Sequence, residues 1–176
     1  MLGINAALSV VMAFTVLFQD SQTYEWNKKS TLTIERQVEF PGIILEPGTY
    51  IVKLKEAGEK RSQVLILNQD ETQTLATLLA VPDHRMRPED QSEFMYHEVK
   101  ADGPAPVRSW FFSGDLVGLE FVYPMVRAKE IAKDSDDHVL ASNNSKDSAI
   151  VAVTPNGKEI VIDEGPAVQT ARRKPQ

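Results

Sequence analysis

The chain has 176 residues, 42% of them hydrophobic and 25% charged, with a formal net charge of −6. That supplies enough apolar material for one domain with appendages, and the acidic balance argues against nucleic acid as a partner, because like charge repels a phosphate backbone. There is no cysteine, so disulfides, thiolate-held zinc or iron–sulfur centres, a cysteine nucleophile and a lipidated cysteine are all excluded.

The first strong signal is Ile4 to Phe18 (INAALSVVMAFTVLF), followed abruptly by Gln19-Asp20-Ser21-Gln22. As a helix this run rises roughly 22 Å, short of the roughly 30 Å hydrocarbon core of a bilayer, so residues 1–22 are expected to be an export signal. No Lys or Arg precedes the run and no Ala-x-Ala site follows it. A retained membrane anchor over residues 4–18 and a buried core segment are the alternatives. The expected location is periplasmic or extracellular, with membrane contact only through this segment if it stays uncleaved.

From Thr31 the dominant period is two, the mark of strands with one wet face. Leu32, Ile34, Val38 and Phe40 alternate with Thr33, Glu35, Gln37 and Glu39, with a break at Arg36. Pro41-Gly42 ends that stretch, Ile43 to Leu45 is a short extended piece, and Glu46-Pro47-Gly48-Thr49 predicts a type II turn with positive φ at Gly48. Tyr50, Val52 and Leu54 form the next strand and Val64 to Leu67 a strand covered on both faces. Gln73 to Val81 (QTLATLLAV) suits helix or strand; its length, its strand neighbours and Pro82 favour strand. Pro82 to Asp90 is a charged loop, Gln91 to Lys100 another strand, Val107 to Ser113 an aromatic strand and Leu119 to Tyr123 the last.

The expected architecture is all-β, an antiparallel two-layer sandwich or partly open barrel of about seven to eight strands, spanning residues 23–133 with one short helix at its end. That helix is Met125 to Lys133, with Ala128, Ile131 and Ala132 on one stripe. Residues 134–148, acidic and rich in Ser and Asn, are expected to be a linker. Residues 149–162 are a hairpin around Asn156-Gly157, for which a type I′ turn is predicted, and residues 163–176 a polar, disordered tail. A lone hairpin is only marginally stable, so this one must dock or flicker.

Three stretches carry a resemblance: Val38 to Tyr50 (VEFPGIILEPGTY), Leu79 to Arg85 (LAVPDHR), and Trp110 to Asp115 (WFFSGD) with Gly118 to Pro124 (GLEFVYP). In this order and spacing they resemble an uncharacterised family of exported β-rich proteins from acidobacterial and other environmental bacteria, over about Thr31 to Lys133. The resemblance implies a leader and a β-rich domain, and brings no catalytic residue with it.

Reactive constellations are sparse. His84, His97 and His138 are the three histidines, and a loop, a strand and a linker give them no reason to converge on a metal, so no cofactor is expected. Gly114, Asp115 and Gly118 follow a strand but precede another strand, not the helix that a phosphate loop needs. Asp83, His84 and Glu120 are the residues a hydrolase would use. Glu120 is expected to face away from Phe121 and to pair with Arg108. Within Trp110-Phe111-Phe112, alternation sends neighbours to opposite faces; core packing between two layers is the first explanation, and a recognition surface of Trp110, Phe112 and Arg108 is the alternative. The leading expectation is therefore a non-enzymatic cell-envelope module that binds a protein or glycan or serves structurally. A small-molecule-binding β-barrel is the first alternative and a hydrolase the second.

Overall fold

The computed structural model describes residues 28–100, 102–143 and 148–163; the expected leader and the tail beyond Asp163 lie outside these. The fold is all-β. Among the described residues there are two sheets, neither closed into a barrel, and one helix.

The larger sheet runs β1 (Lys29–Ile34), β4 (Gly48–Glu56), β5 (Ser62–Asn68), β6 (Thr74–His84), β9 (Val117–Phe121), β8 (Ala105–Phe111), β2 (Val38–Phe40) and β3 (Ile43–Leu45), with β7 (Glu93–Tyr96) also beside β8. β1 obeys the predicted alternation residue by residue: Ser30, Leu32 and Ile34 are buried while Lys29, Thr31 and Thr33 are exposed. The sheet curls. Although β1 and β8 are far apart in strand order, the Trp110 indole Nε1 on β8 donates to Ser30 Oγ on β1 at 3.0 Å. Phe40, Val52, Val64, Ile66, Val107 and Phe121 fill the interior of the curl, each worth about 1.5–3 kcal/mol of burial.

The smaller sheet, β10 (Tyr123–Pro124), β11 (Val139–Ser142), β12 (Ile150–Val153) and β13 (Glu159–Asp163), lies against the outside of the curl. Leu140, Ile150 and Ala152 pack on Val81, Val122 and Leu79. Helix α1 (Met125–Ser135) joins β10 to the parallel β11, as a crossover between parallel strands requires, and buries the predicted Ala128, Ile131 and Ala132. The predicted hairpin thus docks: its strands are β12 and β13, and Arg61 holds Asp163 at 2.6 Å.

Several expectations are corrected. Described residues up to 133 contain ten strands, β1 to β10, where seven or eight were expected. The first predicted strand divides at Glu35–Gln37 into β1 and β2, which pair with different partners, and the last divides at Val122 where the chain passes between sheets. Pairing is mixed, because β2–β8 and β10–β11 are parallel. The expected linker contains β11, all four of whose residues are buried: Val139, Leu140 and Ala141 are core material that the surrounding Asp and Ser obscure. Positive φ falls at Gly42 (79°) in the β2–β3 turn, not at Gly48, which opens β4. Asn156 keeps negative φ because Pro155 begins a type I-like turn whose left-handed position is Gly157 (81°), so the hairpin is not type I′. Pro82 does not end β6, which continues to His84. Leu79 and Arg85 direct backbone groups to the β9 side, so Pro82 faces the side where β5 has already ended and no ladder bond is lost.

Candidate functional site

Two sites flank the same strands, one on each face of β6, β9 and β8. The inner one is the mouth of the curl. The end of β4, the β4–β5 turn, the end of β6, the start of β9 and the end of β8 enclose a pocket of about 580 Å³. Leu54, Pro82, Trp110, Phe112 and Leu119 make it mainly apolar, and Lys28, Glu59 and His84 place polar groups at its rim. Trp110 is held on three sides: by its bond to Ser30, by the Phe94 ring stacked at 6.2 Å and 7°, and by Phe112 edge-on at 6.4 Å. Lys28 pairs with Asp115 and lies 5.7 Å from the centre of the Phe112 ring. A fixed indole beside a half-buried phenyl is a preformed apolar surface, the usual character of a small-molecule site.

The outer site is ionic. β-Strand parity puts Asp83 and Glu120 on the outer face, because Glu120 lies opposite Val81 and Gly118 opposite Asp83. Gly118 has a steric role there: a Cβ would meet the Phe111 ring at 2.5 Å. Phe111 in turn carries the Arg85 guanidinium 4.9 Å from its centre. Arg108 reaches this face by an irregularity. Met95 pairs with Ser109 but Tyr96 with Val107, which leaves Arg108 as the extra residue of a β-bulge in β8. Val107 and Trp110 then both enter the core, while Arg108 turns outward with Ser109, which lies opposite Glu120.

Around Arg108 gather Glu120 (Nε to Oε1, 3.6 Å) and Asp137 (Nη1 to Oδ2, 3.0 Å). His97, after β7, is buried nearby. The buried atoms His97 Nδ1, Arg108 Nε and Glu120 Oε1 make no hydrogen bond to the described residues. Burial first, then the neighbouring Asp83 and Asp137 charges, push the Glu120 carboxyl up to about 7 against the pull of Arg108. Burial and the Arg108 charge lower the His97 imidazole to about 4. Beside this cluster is a shallow groove of about 450 Å³, touched by Asp83, Arg85, Arg108, Ser109 and Phe111.

The sequence-based candidates divide between the two sites. Trp110 and Phe112 line the mouth pocket together, but Trp110 is only 2% exposed and is pocket wall, not open surface. Arg108 does not join them: the bulge breaks the alternation on which that expectation rested and sends it to the opposite face. Arg108 and Glu120 face each other as expected, at an ion-pair distance of 3.6 Å but without a hydrogen bond. Of the hydrolase candidates, Asp83 and Glu120 share the outer face, whereas His84 has the parity of Pro82 and lines both the mouth and the edge of the outer groove beside Asp83; Glu120 lines neither, so the three do not meet in one cavity. Asp137 is not singled out by the sequence, and His97 figures there only as one of three histidines with no reason to converge on a metal; a four-residue β7 followed by an irregular stretch offers no pattern that would have placed it beside Arg108. Among the described residues no group of three or more His, Cys, Asp or Glu is placed to hold a metal, and no helix is long and apolar enough to cross a membrane. No family model matches this chain, and neither a curated protein nor a solved structure is significantly similar to it.

Proposed function

We propose that this chain is a non-enzymatic, exported binding module of the cell envelope, and that its ligand is a small molecule with an apolar body and a polar end, held in the mouth pocket. The observation that carries the reading is the pocket itself: about 580 Å³ walled mainly by Trp110, Phe112, Leu119 and Leu54, with Ser62 as a buried polar lining residue and Lys28, Glu59 and His84 at the rim. Such a volume suits a ligand of metabolite or drug size. Export rests on the apolar run Ile4–Phe18. Glu120 lines neither the mouth pocket nor the outer groove that Asp83 and His84 share, which weighs against hydrolysis.

The test is titration of the full chain with 1-anilinonaphthalene-8-sulfonate, an apolar anionic fluorophore. Saturable binding at one site is expected, weakened about tenfold or more by Leu119→Arg. Equal binding by wild type and a folded Leu119→Arg variant would overturn the assignment. For location, cell fractionation should recover a chain lacking residues 1 to about 22 outside the cytoplasm; a full-length cytoplasmic protein would refute export.

A second mode of binding is favoured by β13. It is the outer strand of the smaller sheet, and Ile160, Val161 and Ile162 are 45%, 59% and 55% exposed. An extended segment of a partner protein could add to this edge. Val161→Lys should then abolish capture of the partner while leaving fluorophore binding intact; capture unaffected by the substitution would exclude the edge.

A further inference from the structure

The seam between the two sheets is apolar at one end and ionic at the other. At the apolar end Leu79, Val81 and Val122 meet Leu140, Ile150 and Ala152. At the ionic end Arg108 of the larger sheet bonds Asp137, in the turn that delivers α1 into β11. The guanidinium thus faces two carboxylates through different nitrogens, Nη1 towards Asp137 and Nε towards Glu120. Asp137 is in hydrogen-bonding contact at 3.0 Å; Glu120 stands 3.6 Å from Nε, with neither Nε nor Oε1 engaged. Both atoms are buried, and a buried donor and acceptor left apart cost more than the same pair joined.

We propose that Glu120 is a proton-operated latch: while it is protonated, Arg108 holds Asp137 and fastens α1 and β11–β13 to the larger sheet, and its ionisation draws Arg108 inward and loosens that attachment. The groups facing Glu120 fix the direction. Arg108 from β8 is the single cation among them; Asp83 from β6 and Asp137 from the α1–β11 turn are anions, and His97 and His138 stand beside the Arg108–Asp137 pair. Loss of the Glu120 proton therefore sets three carboxylates around one guanidinium. The closest approach open to the new charge is Arg108, already aimed at it by the bulge. The acid that a buried carboxyl becomes under such conditions is one that titrates near neutrality, consistent with its rise to about 7. Arg61, which holds Asp163 and the Ser148 carbonyl, anchors the far side of the smaller sheet and does not depend on Glu120.

Native-state hydrogen exchange of the full chain, corrected for the intrinsic pH dependence of exchange, tests this. Between about pH 5.5 and about pH 8.5, protection in α1, β11 and β12 should fall on the order of tenfold relative to β4 and β5. Glu120→Gln should keep the low-pH protection at both values. Asp137→Asn should show the loosened pattern already at the lower pH, so the idea stays open to refutation if Glu120→Gln does not fold. Protection in α1 and β11 that is independent of pH in the wild type, or a pH response that survives Glu120→Gln, would overturn the latch.

Discussion

β6, β9 and β8 present two unlike surfaces from one set of backbones. Their inner face, with Leu78, Ala80, Trp110 and Phe121, is apolar, and its one polar demand, the indole N–H, is met by Ser30. Their outer face is apolar where the smaller sheet covers Leu79 and Val81, then becomes a cluster of Asp83, Glu120, Arg108 and Asp137. The contrast teaches where tolerance lies. Apolar contact is non-directional, so the inner face gains from any well-shaped neighbour. A buried ionic cluster gains only when donor and acceptor meet in geometry, and here three atoms do not.

The largest expected effect is on the inner face. Trp110→Ala should cost about 3–5 kcal/mol in chemical denaturation, because it opens a cavity between Phe94, Phe112 and Ser30. A loss below about 1 kcal/mol would mean that the inner face is not the main source of stability.

The outer face should reveal itself through pH. The folded state raises the Glu120 carboxyl from 4.5 to about 7, so it holds that proton more tightly than the unfolded chain. The contribution is fully present below about pH 4.5 and is lost as pH rises through about 7. His97 behaves oppositely. Its lowering from 6.5 to about 4 gives stability that is present above about pH 6.5 and lost as pH falls towards about 4. Stability should therefore peak at about pH 5–6, and Glu120→Gln should flatten the alkaline side by on the order of 2 kcal/mol. An alkaline limb as steep in Glu120→Gln as in the wild type would sever the link to this carboxyl.

These two faces were not equally legible in the sequence. Strand identity, the inner set of β1 and the buried stripe of α1 followed from periods of two and 3.6, which one segment displays by itself. The Arg108–Glu120 pair followed too, although for the wrong face assignment of Arg108 relative to Trp110. What escaped depends on pairing. A bulge exists only between two strands, so nothing local in Pro106-Val107-Arg108-Ser109 announces it. β11 is four residues among acids and serines, too short for a period. Asp137 and His97 matter because of what the larger sheet places beneath them, and each looks like an ordinary polar residue in sequence.

A smaller effect tests how tightly the outer face is packed. Gly118 lies under Phe111 with no room for a methyl group. Gly118→Ala should shift the ring and with it the Arg85 contact, at a cost of about 1–3 kcal/mol. Thermal unfolding measures the cost. If the ring moves without loss of the Arg85 stacking, the effect should shrink towards the entropic benefit of replacing glycine in a strand, roughly 0.5–1 kcal/mol in the opposite sense.

The smallest effect returns to the inner face. Ser30 is 6% exposed and its hydroxyl accepts the hydrogen bond that the Trp110 indole donates. Ser30→Ala removes a small group and leaves almost no cavity, so its cost is that of a buried N–H without an acceptor, about 1 kcal/mol. It also removes the tie that draws β1 across the core to β8, while Lys28, just before β1, still pairs with Asp115 in the β8–β9 turn. Stability should fall by that modest amount while fluorophore affinity in the mouth pocket falls more than proportionally, because an indole that can rotate no longer presents a fixed wall. Unchanged affinity beside reduced stability would show that Phe94 and Phe112 orient the indole by packing alone.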